Sequence, residues 1–360
     1  MKRTLLSIIT NPIVSLDIGS HSIKLVEGKY TGNSVTIQKA VTIPTPAEAI
    51  RDGKLMDISK LREVINTLIK REKVKAKDLV FTIESTAVIT REIILPTTKP
   101  QEIEAMLEFE LEQYLPIALE NYSIQKKILD EFQEHGVRKS HIMVAALPKE
   151  IVNEYLALCD SLGLKPRALD LSSNSMYKLV SLKGFLGELN DISNKTIAIL
   201  DIGHSYSNLI VIKRGILKFN RLMHFGGREI NYNIANSFNL TIEEAEAKKK
   251  EVKSLNLIGA DEISSAAMLL NIVKESVDNW IRDIDRLFKY FLSRESGNKI
   301  DEIYLCGGSS KLKGLDTYIK NEFQTPTYNL RDTIEGKYSS GVLDKNLESY
   351  LNAVGAIIRR

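Results

Sequence analysis

The chain has 360 residues, 43% of them hydrophobic and 26% charged, and its 49 basic and 46 acidic side chains leave a net charge of +3. That length accommodates two or more domains, the near-balance of charge argues against nucleic acid as the main partner, and a single Trp with 7% aromatic content offers no base-stacking platform. No apolar run reaches the roughly 18 residues of a helical membrane span, so none is expected, and Cys159 and Cys306 read as small buried apolar residues of a reducing compartment rather than a disulfide or metal pair.

Met1 to Thr10 reads as a structural or weakly interfacial N-terminus, because its apolar stretch is short and has no small-residue cleavage site. Apolar runs at Ile13–Asp17, Ile23–Gly28 and Ser34–Ile43 predict a β-meander that Pro44 and Pro46 end. Ile58, Leu61, Val64, Ile65, Leu68 and Ile69 recur at helical spacing, which predicts an amphipathic helix over 57–72. Leu79–Ile83 and Ala87–Leu95 read as strands paired with each other. A helix opens at Lys99-Pro100 and is stopped by Pro116. Strands over 122–131 and 140–147, a helix over 148–162, a strand at Lys165–Leu171 and a helix over 172–182 follow, and a polar connector at 184–195 joins two halves. Strands at 196–201, 207–213 and 216–224 then precede a helix at 228–238. Thr241 with Glu244 marks another helix start, and a long helix runs over 262–295. A strand at Lys299–Cys306 and a helix near 345–356 close the chain. Alternating strands and helices in two halves predict an α/β fold with twisted mixed sheets.

One phrase occurs twice, roughly half a chain length apart. Val14-Ser-Leu-Asp17-Ile-Gly19-Ser20-His-Ser22-Ile-Lys24 matches Ile199-Leu-Asp201-Ile-Gly203-His204-Ser205-Tyr-Ser207-Asn208. Each is a buried strand ending in Asp-Ile-Gly, a polar turn and a second apolar strand, and such a repeat predicts two similar halves facing each other. Gly lets successive backbone N–H groups converge on an anion, and Ser20, Ser22, Ser205 and Ser207 add hydroxyl donors. Asp17 and Asp201 can orient a hydrated metal ion. Two such hairpins make a clamp for a metal-bound polyphosphate, whereas one copy alone would be read as an ordinary turn. Cys306-Gly307-Gly308-Ser309 ends a further strand; the glycines would let a flat ring lie on the backbone, and Ser309 would cap the following helix.

In this order and spacing the three elements resemble the phosphate-1, phosphate-2 and adenosine motifs of the actin-like ATPase superfamily, which includes actin, sugar kinases, DnaK-type chaperones and FtsA. Ala245-Glu246-Ala-Lys-Lys249, placed between Gly226-Gly227 and Gly307-Gly308, resembles the superfamily's Ala-Glu-x-x-Lys helix. Within that group the chain is most similar to the PilM family of type IV pilus assembly proteins. Glu108-Phe-Glu-Leu-Glu-Gln113-Tyr114-Leu-Pro116, the stretch His141 to Glu150 with Gly163 to Asp170, and Ala353-Val-Gly355 to Arg359 carry this likeness, which covers essentially the whole chain. The middle segments are what set the PilM family apart from FtsA, and the lack of an expected amphipathic helix in the C-terminal stretch would also count against FtsA.

The resemblance implies two ribonuclease H-like halves around a nucleotide cleft, with an FtsA-type subdomain 1C. Its layout is 1A at 1–43, 165–185 and 330–360; 1C at 44–164; 2A at 195–224 and 300–329; and 2B at 225–299. It implies ATP or ADP as ligand, with Mg2+ held through water by Asp17 and Asp201. Gly19, Ser20, Ser22 and Lys24 would contact the phosphates from one side, and Gly203, His204, Ser205 and Ser207 from the other. Glu246 and Lys249 would reach ribose or base, and Gly307, Gly308, Ser309 and Leu312 would pack at the adenine, with Gly226 and Gly227 nearby. His204 departs from the usual small residue and reads as an exposed turn histidine with a charge change near neutral pH. No Glu or Gln is evident to orient an attacking water, which leaves Asp201 and Asp170 as catalytic candidates and predicts slow or absent hydrolysis.

The resemblance also implies a partner: the N-terminal cytoplasmic peptide of PilN, held between 1A and 1C with Ile13–Leu16, Val41–Ile43 and 79–95 as lining. PilO and the assembly motor ATPases would be engaged indirectly, self-association is compatible with the fold, and the protein would be cytoplasmic and peripheral to the inner membrane through its partners. An FtsA-like polymer-forming protein and a sugar or acetate kinase are the alternatives.

Overall fold

A computed structural model describes residues 11–32, 34–114, 118–182, 184–186, 192–257, 264–294, 297–333 and 347–359. The predicted N-terminal segment 1–10, Pro116 and much of the connector at 184–195 lie outside the described residues, as do the side chains of Glu108, Gln113 and Tyr114. Two five-stranded sheets form the frame. The first runs β10-β6-β1-β2-β3, from strands β1 (Ile13–Ile18), β2 (Ser22–Thr31), β3 (Ser34–Pro44), β6 (Asp78–Ile83) and β10 (Lys165–Leu171). The second runs β13-β12-β11-β14-β15, from β11 (Thr196–Ile202), β12 (Ser207–Lys213), β13 (Ile216–Met223), β14 (Glu302–Cys306) and β15 (Thr327–Asn329). In each sheet the central strand has an antiparallel hairpin partner on one side, β2 or β12, and a parallel strand on the other, β6 or β14. The two sheets are therefore built alike, as the repeated phrase requires.

Each central strand is mostly apolar up to its terminal Asp because both sheet faces are covered. In β11, Ala198, Leu200 and Ile202 point into a core made with α5 (Gly227–Phe238), α7 (Ser265–Ser293) and α8 (Leu315–Phe323), while Ile197 and Ile199 point into a second core. That second core lies between the two sheets. It holds α4 (Ser172–Val180) and α10 (Leu351–Ile357) against Val26, Val35 and Ile37 of the first sheet and Ile210 and Ile212 of the second. A Cβ on Gly355 of α10 would collide with the Ser175 carbonyl of α4, so glycine is required for this close approach. The first sheet's outer face is covered by α1 (Ile58–Arg71) and α3 (Lys149–Ser161), which bury Leu61, Ile65, Leu68, Ile151 and Leu158 completely. Full burial of such a side chain stabilises by about 1.5–3 kcal/mol. A short hairpin of β4 (Ile50–Arg51) and β5 (Lys54–Leu55) precedes α1. The remaining helices are α2 (Pro100–Tyr114), α6 (Ile242–Lys249) and α9 (Leu330–Thr333).

A three-stranded sheet, β7-β9-β8, stands apart from this frame; its strands are β7 (Ile89–Pro96), β8 (Tyr122–Glu134) and β9 (Val137–Pro148), with α2 packed on it. Two expectations change here. β6 does not pair with β7: it lies parallel to β1 in the middle of the first sheet, and β7 pairs with β9. Residues 50–83 therefore pack with the first half, and the separate sheet spans 89–148. Of the expected peptide lining, Val14, Leu16, Leu79 and Phe81 are core and offer no surface to a partner. The long helix begins at Ser265, capped by Ser264 Oγ accepting from the Ala267 N–H at 3.1 Å. Its Trp280 is buried, stacks on Phe225 with ring centroids 5.3 Å apart, and donates to Glu229 Oε2 at 3.0 Å. Among the described residues no helix is long and apolar enough to cross a membrane.

Candidate functional site

The two central strands end at the same place. Asp17 and Asp201, at the C-terminal ends of β1 and β11, line one cavity of about 450 Å3 that also takes in Gly19, Ser20, Ser22, Lys24, Gly203, His204 and Ser205 from the hairpin turns. Glu246 and Lys249 of α6 line it as well, as do Gly307, Gly308 and Ser309. The hairpin tips touch, with Ser20 Oγ and Ser205 Oγ 2.8 Å apart. Beside them the His21 and His204 rings have centroids 5.0 Å apart, and His21 Nε2 lies 3.8 Å from Glu246 Oε1.

Register explains the charges. Asp17 faces Lys24 across β1–β2, and Lys24 Nζ sits 3.1 Å from Asp17 Oδ2. Thr82 of β6 donates to Asp17 Oδ1 at 3.0 Å. Burial opposes the Lys24 charge, but Asp17, Asp201 and Glu84 outweigh it and hold its pKa above the usual value. Asp201 faces Asn208 across β11–β12 and accepts from Asn352 Nδ2 at 2.8 Å; burial raises its pKa, which Asp17 reinforces. Gly307 has φ +84°, and a Cβ there would strike Asp201 Oδ1 and the Ile202 carbonyl, so glycine lets the β14 turn close onto the β11 aspartate. Around Gly308 there is open space for a ligand.

Glu84 was not singled out by the sequence. It follows β6 directly, lines the cavity, and has its pKa raised to about 8 by burial and then by Asp201 and Asp17. The signal was present: an apolar strand ending in an acid, as in β1 and β11. Pairing β6 with β7 would have put that acid in the insertion at 44–164, the expected subdomain 1C. Asp52, Tyr350 and Asn352 are further cavity residues that the sequence did not mark.

Several expected residues serve the frame instead. Ser207 Oγ donates to the Phe225 carbonyl at 2.8 Å and does not line the cavity. The N–H groups of Gly227 and Arg228 donate to the Gly203 and His204 carbonyls at 3.1 and 2.8 Å, so Gly226 and Gly227 tie the start of α5 to the second hairpin. Ser309 caps no helix: its Oγ donates to the Gly203 carbonyl at 2.8 Å, and α8 begins after Gly314. Leu312 packs against the second half's core. Asp170 lies outside the cavity in a buried charge cluster, 2.6 Å from Lys178 Nζ and 3.6 Å from Arg359, and accepts from Asn174 and Ser175, so it is committed to structure. His204 is half-buried and does not titrate near neutral pH; burial, with His21 and Lys249 nearby, lowers its pKa to about 4.

Among the described residues no group of three or more His, Cys, Asp or Glu is placed to hold a metal ion directly. Asp17 and Asp201 supply the hard oxygen acceptors that suit a hydrated divalent cation, and the buried Asn352 Oδ1 beside Asp201 has no hydrogen-bond partner. These residues fit an ion held through its waters. Lys24 already places a positive charge among the carboxylates.

Comparison with known proteins identifies the family and the fold. The family described as "Type IV pilus assembly protein PilM" matches residues 15–360. The structure of the PilM-PilN type IV pilus biogenesis complex superposes with a TM-score of 0.79 at 23% identity, covering 96% of this chain and 97% of that one. The ethanolamine utilization protein EutJ of Carboxydothermus hydrogenoformans superposes with a TM-score of 0.54 at 13% identity, covering 98% and 90%. MreB5 of Spiroplasma citri bound to ADP gives 0.51 at 14% identity, covering 96% and 95%. Cell division protein FtsA of Bacillus subtilis (strain 168) is 22% identical over 268 residues, 66% of this chain and 57% of FtsA, so the chain spans little more than half of that relative. The shared fold is that of the actin-like ATPases.

Proposed function

Because this chain belongs to the family of type IV pilus assembly protein PilM, we propose that it is a nucleotide-binding scaffold of a pilus assembly platform, peripheral to the membrane through its partners. ATP or ADP occupies the cleft. The observation that carries this reading is the meeting of two Asp-ended hairpins across one cavity, with open space over Gly308 at its wall. Backbone N–H groups and hydroxyls of Ser20, Ser22 and Ser205 bind the phosphates, Gly19 and Gly203 hold the turns tight by donating their own N–H groups to the Ser22 and Tyr206 carbonyls, and Lys24 contributes a point charge. Glu246 and Lys249 meet the ribose or base. Mg2+, when bound through water at Asp17 and Asp201, offsets the phosphate charge. In subdomain terms, 1A and 2A carry the two frame sheets, 2B carries α5 to α7, and 1C is the β7-β9-β8 sheet with α2.

The partner in this reading is the N-terminal cytoplasmic peptide of a PilN-type protein, supported by the likeness to the PilM-PilN complex. PilO and the motor ATPases are reached through it. Calorimetry of the purified protein with Mg-ATP, with and without such a peptide, tests both parts. Heat of binding for each ligand is expected, and its absence for ATP, ADP and every other nucleotide would remove the nucleotide reading.

A further inference from the structure

A second cleft lies between the β7-β9-β8 sheet and the second half. It is a groove of about 280 Å3 and shares no residue with the nucleotide cleft. A polar cavity of about 280 Å3 separates the two, sharing Glu84 with the nucleotide cleft and Thr90, Asn220 and Arg221 with the groove. Three arginines converge on the groove from three elements: Arg91 from β7, Arg221 from β13 and Arg294 just after α7. Against them stands one carboxylate, Glu92. It is already engaged, with His141 Nε2 at 3.2 Å and Arg294 at 3.4 Å. Arg91 and Arg221 have no carboxylate partner among the described residues; Arg91 donates to the Thr90 carbonyl and Arg221 to the Asn220 carbonyl. Arg221 also lies 5.6 Å from the centroid of the Phe219 ring, which holds the guanidinium in place. Tyr290, 51% exposed, stands beside Phe219 with ring centroids 5.8 Å apart and gives the groove an aromatic wall.

From this imbalance of charge beside an aromatic wall we infer that the groove docks an acidic peptide segment of a partner protein, one that presents carboxylates to Arg91 and Arg221 and an aromatic or aliphatic side chain to Tyr290. Arginine suits this role because its planar fork takes a carboxylate at two points. The Asn220 side chain is held in the groove floor, its Nδ2 donating to Ser173 Oγ at 2.9 Å. The inference does not rest on the nucleotide reading.

The test is fluorescence anisotropy on the full chain with a series of labelled short peptides built of Asp, Glu and Phe, against a matched series in which Asn and Gln replace the acids. The acidic series is expected to bind at least about tenfold more tightly, with the difference shrinking at high salt. Arg91→Glu combined with Arg221→Glu should abolish that binding, and Tyr290→Ala should weaken it. Arg51→Glu, which changes an exposed arginine elsewhere, should leave it unchanged and so controls for bulk charge. Circular dichroism melting of each variant verifies folding, and Arg91→Ala with Arg221→Ala replaces the reversal if it unfolds. Equal binding of the two series, no binding by any acidic peptide, or insensitivity to Arg91 and Arg221 overturns the inference. Binding of millimolar inorganic phosphate by calorimetry, lost in the Arg91 and Arg221 variants and with no peptide binding, would instead make the groove a small-anion site. Concentration-dependent dimerisation lost in the same variants would make it an interface between copies, and either result overturns the peptide.

Discussion

Ser20 Oγ and Ser205 Oγ, 185 positions apart in the chain, lie 2.8 Å from each other and join the tips of the two phosphate-type hairpins. The contact bridges the two halves at the point where a polyphosphate would be gripped. A phosphate placed there exchanges one hydroxyl pair for two hydroxyl-to-phosphate hydrogen bonds, which are charge-assisted and stronger. In the proposed reading, a nucleotide entering the cleft would part the two hairpin tips.

Nucleotide should therefore stabilise the fold. At about 100 times its dissociation constant, Mg-ATP adds about 2.7 kcal/mol, a rise in Tm on the order of a few degrees. Lys24→Ala and Asp201→Asn should each shrink that rise, the first by removing charge beside the phosphates and the second by removing a metal-orienting oxygen. Differential scanning fluorimetry reads this directly, and an undiminished shift in both variants would contradict the assignment.

Hydrolysis should be slow, below the roughly 1–1000 s⁻¹ typical of enzymes. Whatever turnover exists should depend on Glu84, the carboxyl that meets the cavity from the end of β6. Glu84→Gln keeps the shape and loses the base, so phosphate release should drop by roughly a hundredfold while the nucleotide-induced rise in Tm is retained. Turnover that survives Glu84→Gln would place the water elsewhere.

The repeated phrase made the two halves and most of the cleft legible, because Asp, Gly and Ser at a strand end have few other reasons to recur together. Glu84 carried a local signal, an acid after an apolar strand, but its place in the cleft depends on β6 lying parallel to β1, a long-range pairing that local alternation does not encode. The same limit hid the tie from Ser309 to Gly203, whereas the β4–β5 hairpin is local and went unread because its strands are only two residues each. Ser207, Gly226 and Gly227 carried the motif's residue types, yet their hydrogen bonds close the hairpin onto α5. Motif position predicted nearness to the ligand for these three, whereas burial and local hydrogen bonding decide what each one does.

His204 should leave a signature in acid. Its pKa is about 4 folded against 6.5 as the reference value, so between those pH values the unfolded chain binds more protons than the folded one. Stability contributed by the neutral ring is present above about pH 6.5 and is lost as pH falls toward about 4. His204→Gln should flatten the slope of unfolding free energy against pH in that window. Urea titrations at several pH values measure it, and parallel slopes for the two proteins would show that His204 is no more buried than an ordinary surface histidine.

Gly355→Ala should destabilise although alanine favours helices by about 1 kcal/mol over glycine. The added Cβ meets the Ser175 carbonyl, a backbone atom that cannot swing away. Overpacking of this kind costs roughly 1–3 kcal/mol, and here it parts α10 from α4 in the core between the sheets. Chemical denaturation should show a lower midpoint, whereas an unchanged midpoint would mean the two helices have slack.

Recruitment to membranes should require a protein partner. An extended or short helical peptide docking in a groove is a common way for a protein without its own span to be held at a bilayer, and the structure of a PilM-PilN complex superposes along nearly the whole chain. Liposomes alone should not sediment the protein at physiological salt, where weak electrostatic attraction is screened beyond about 8 Å. Liposomes displaying the N-terminal peptide of a PilN-type protein should bring it down, and free peptide should compete. Arg91→Glu with Arg221→Glu should leave this recruitment intact, because the arginine groove lies between the insertion and the second half while the expected PilN site lies between the insertion and the first. Loss of recruitment in those variants would place the PilN peptide in the arginine groove, and sedimentation with bare liposomes would mean the chain anchors itself.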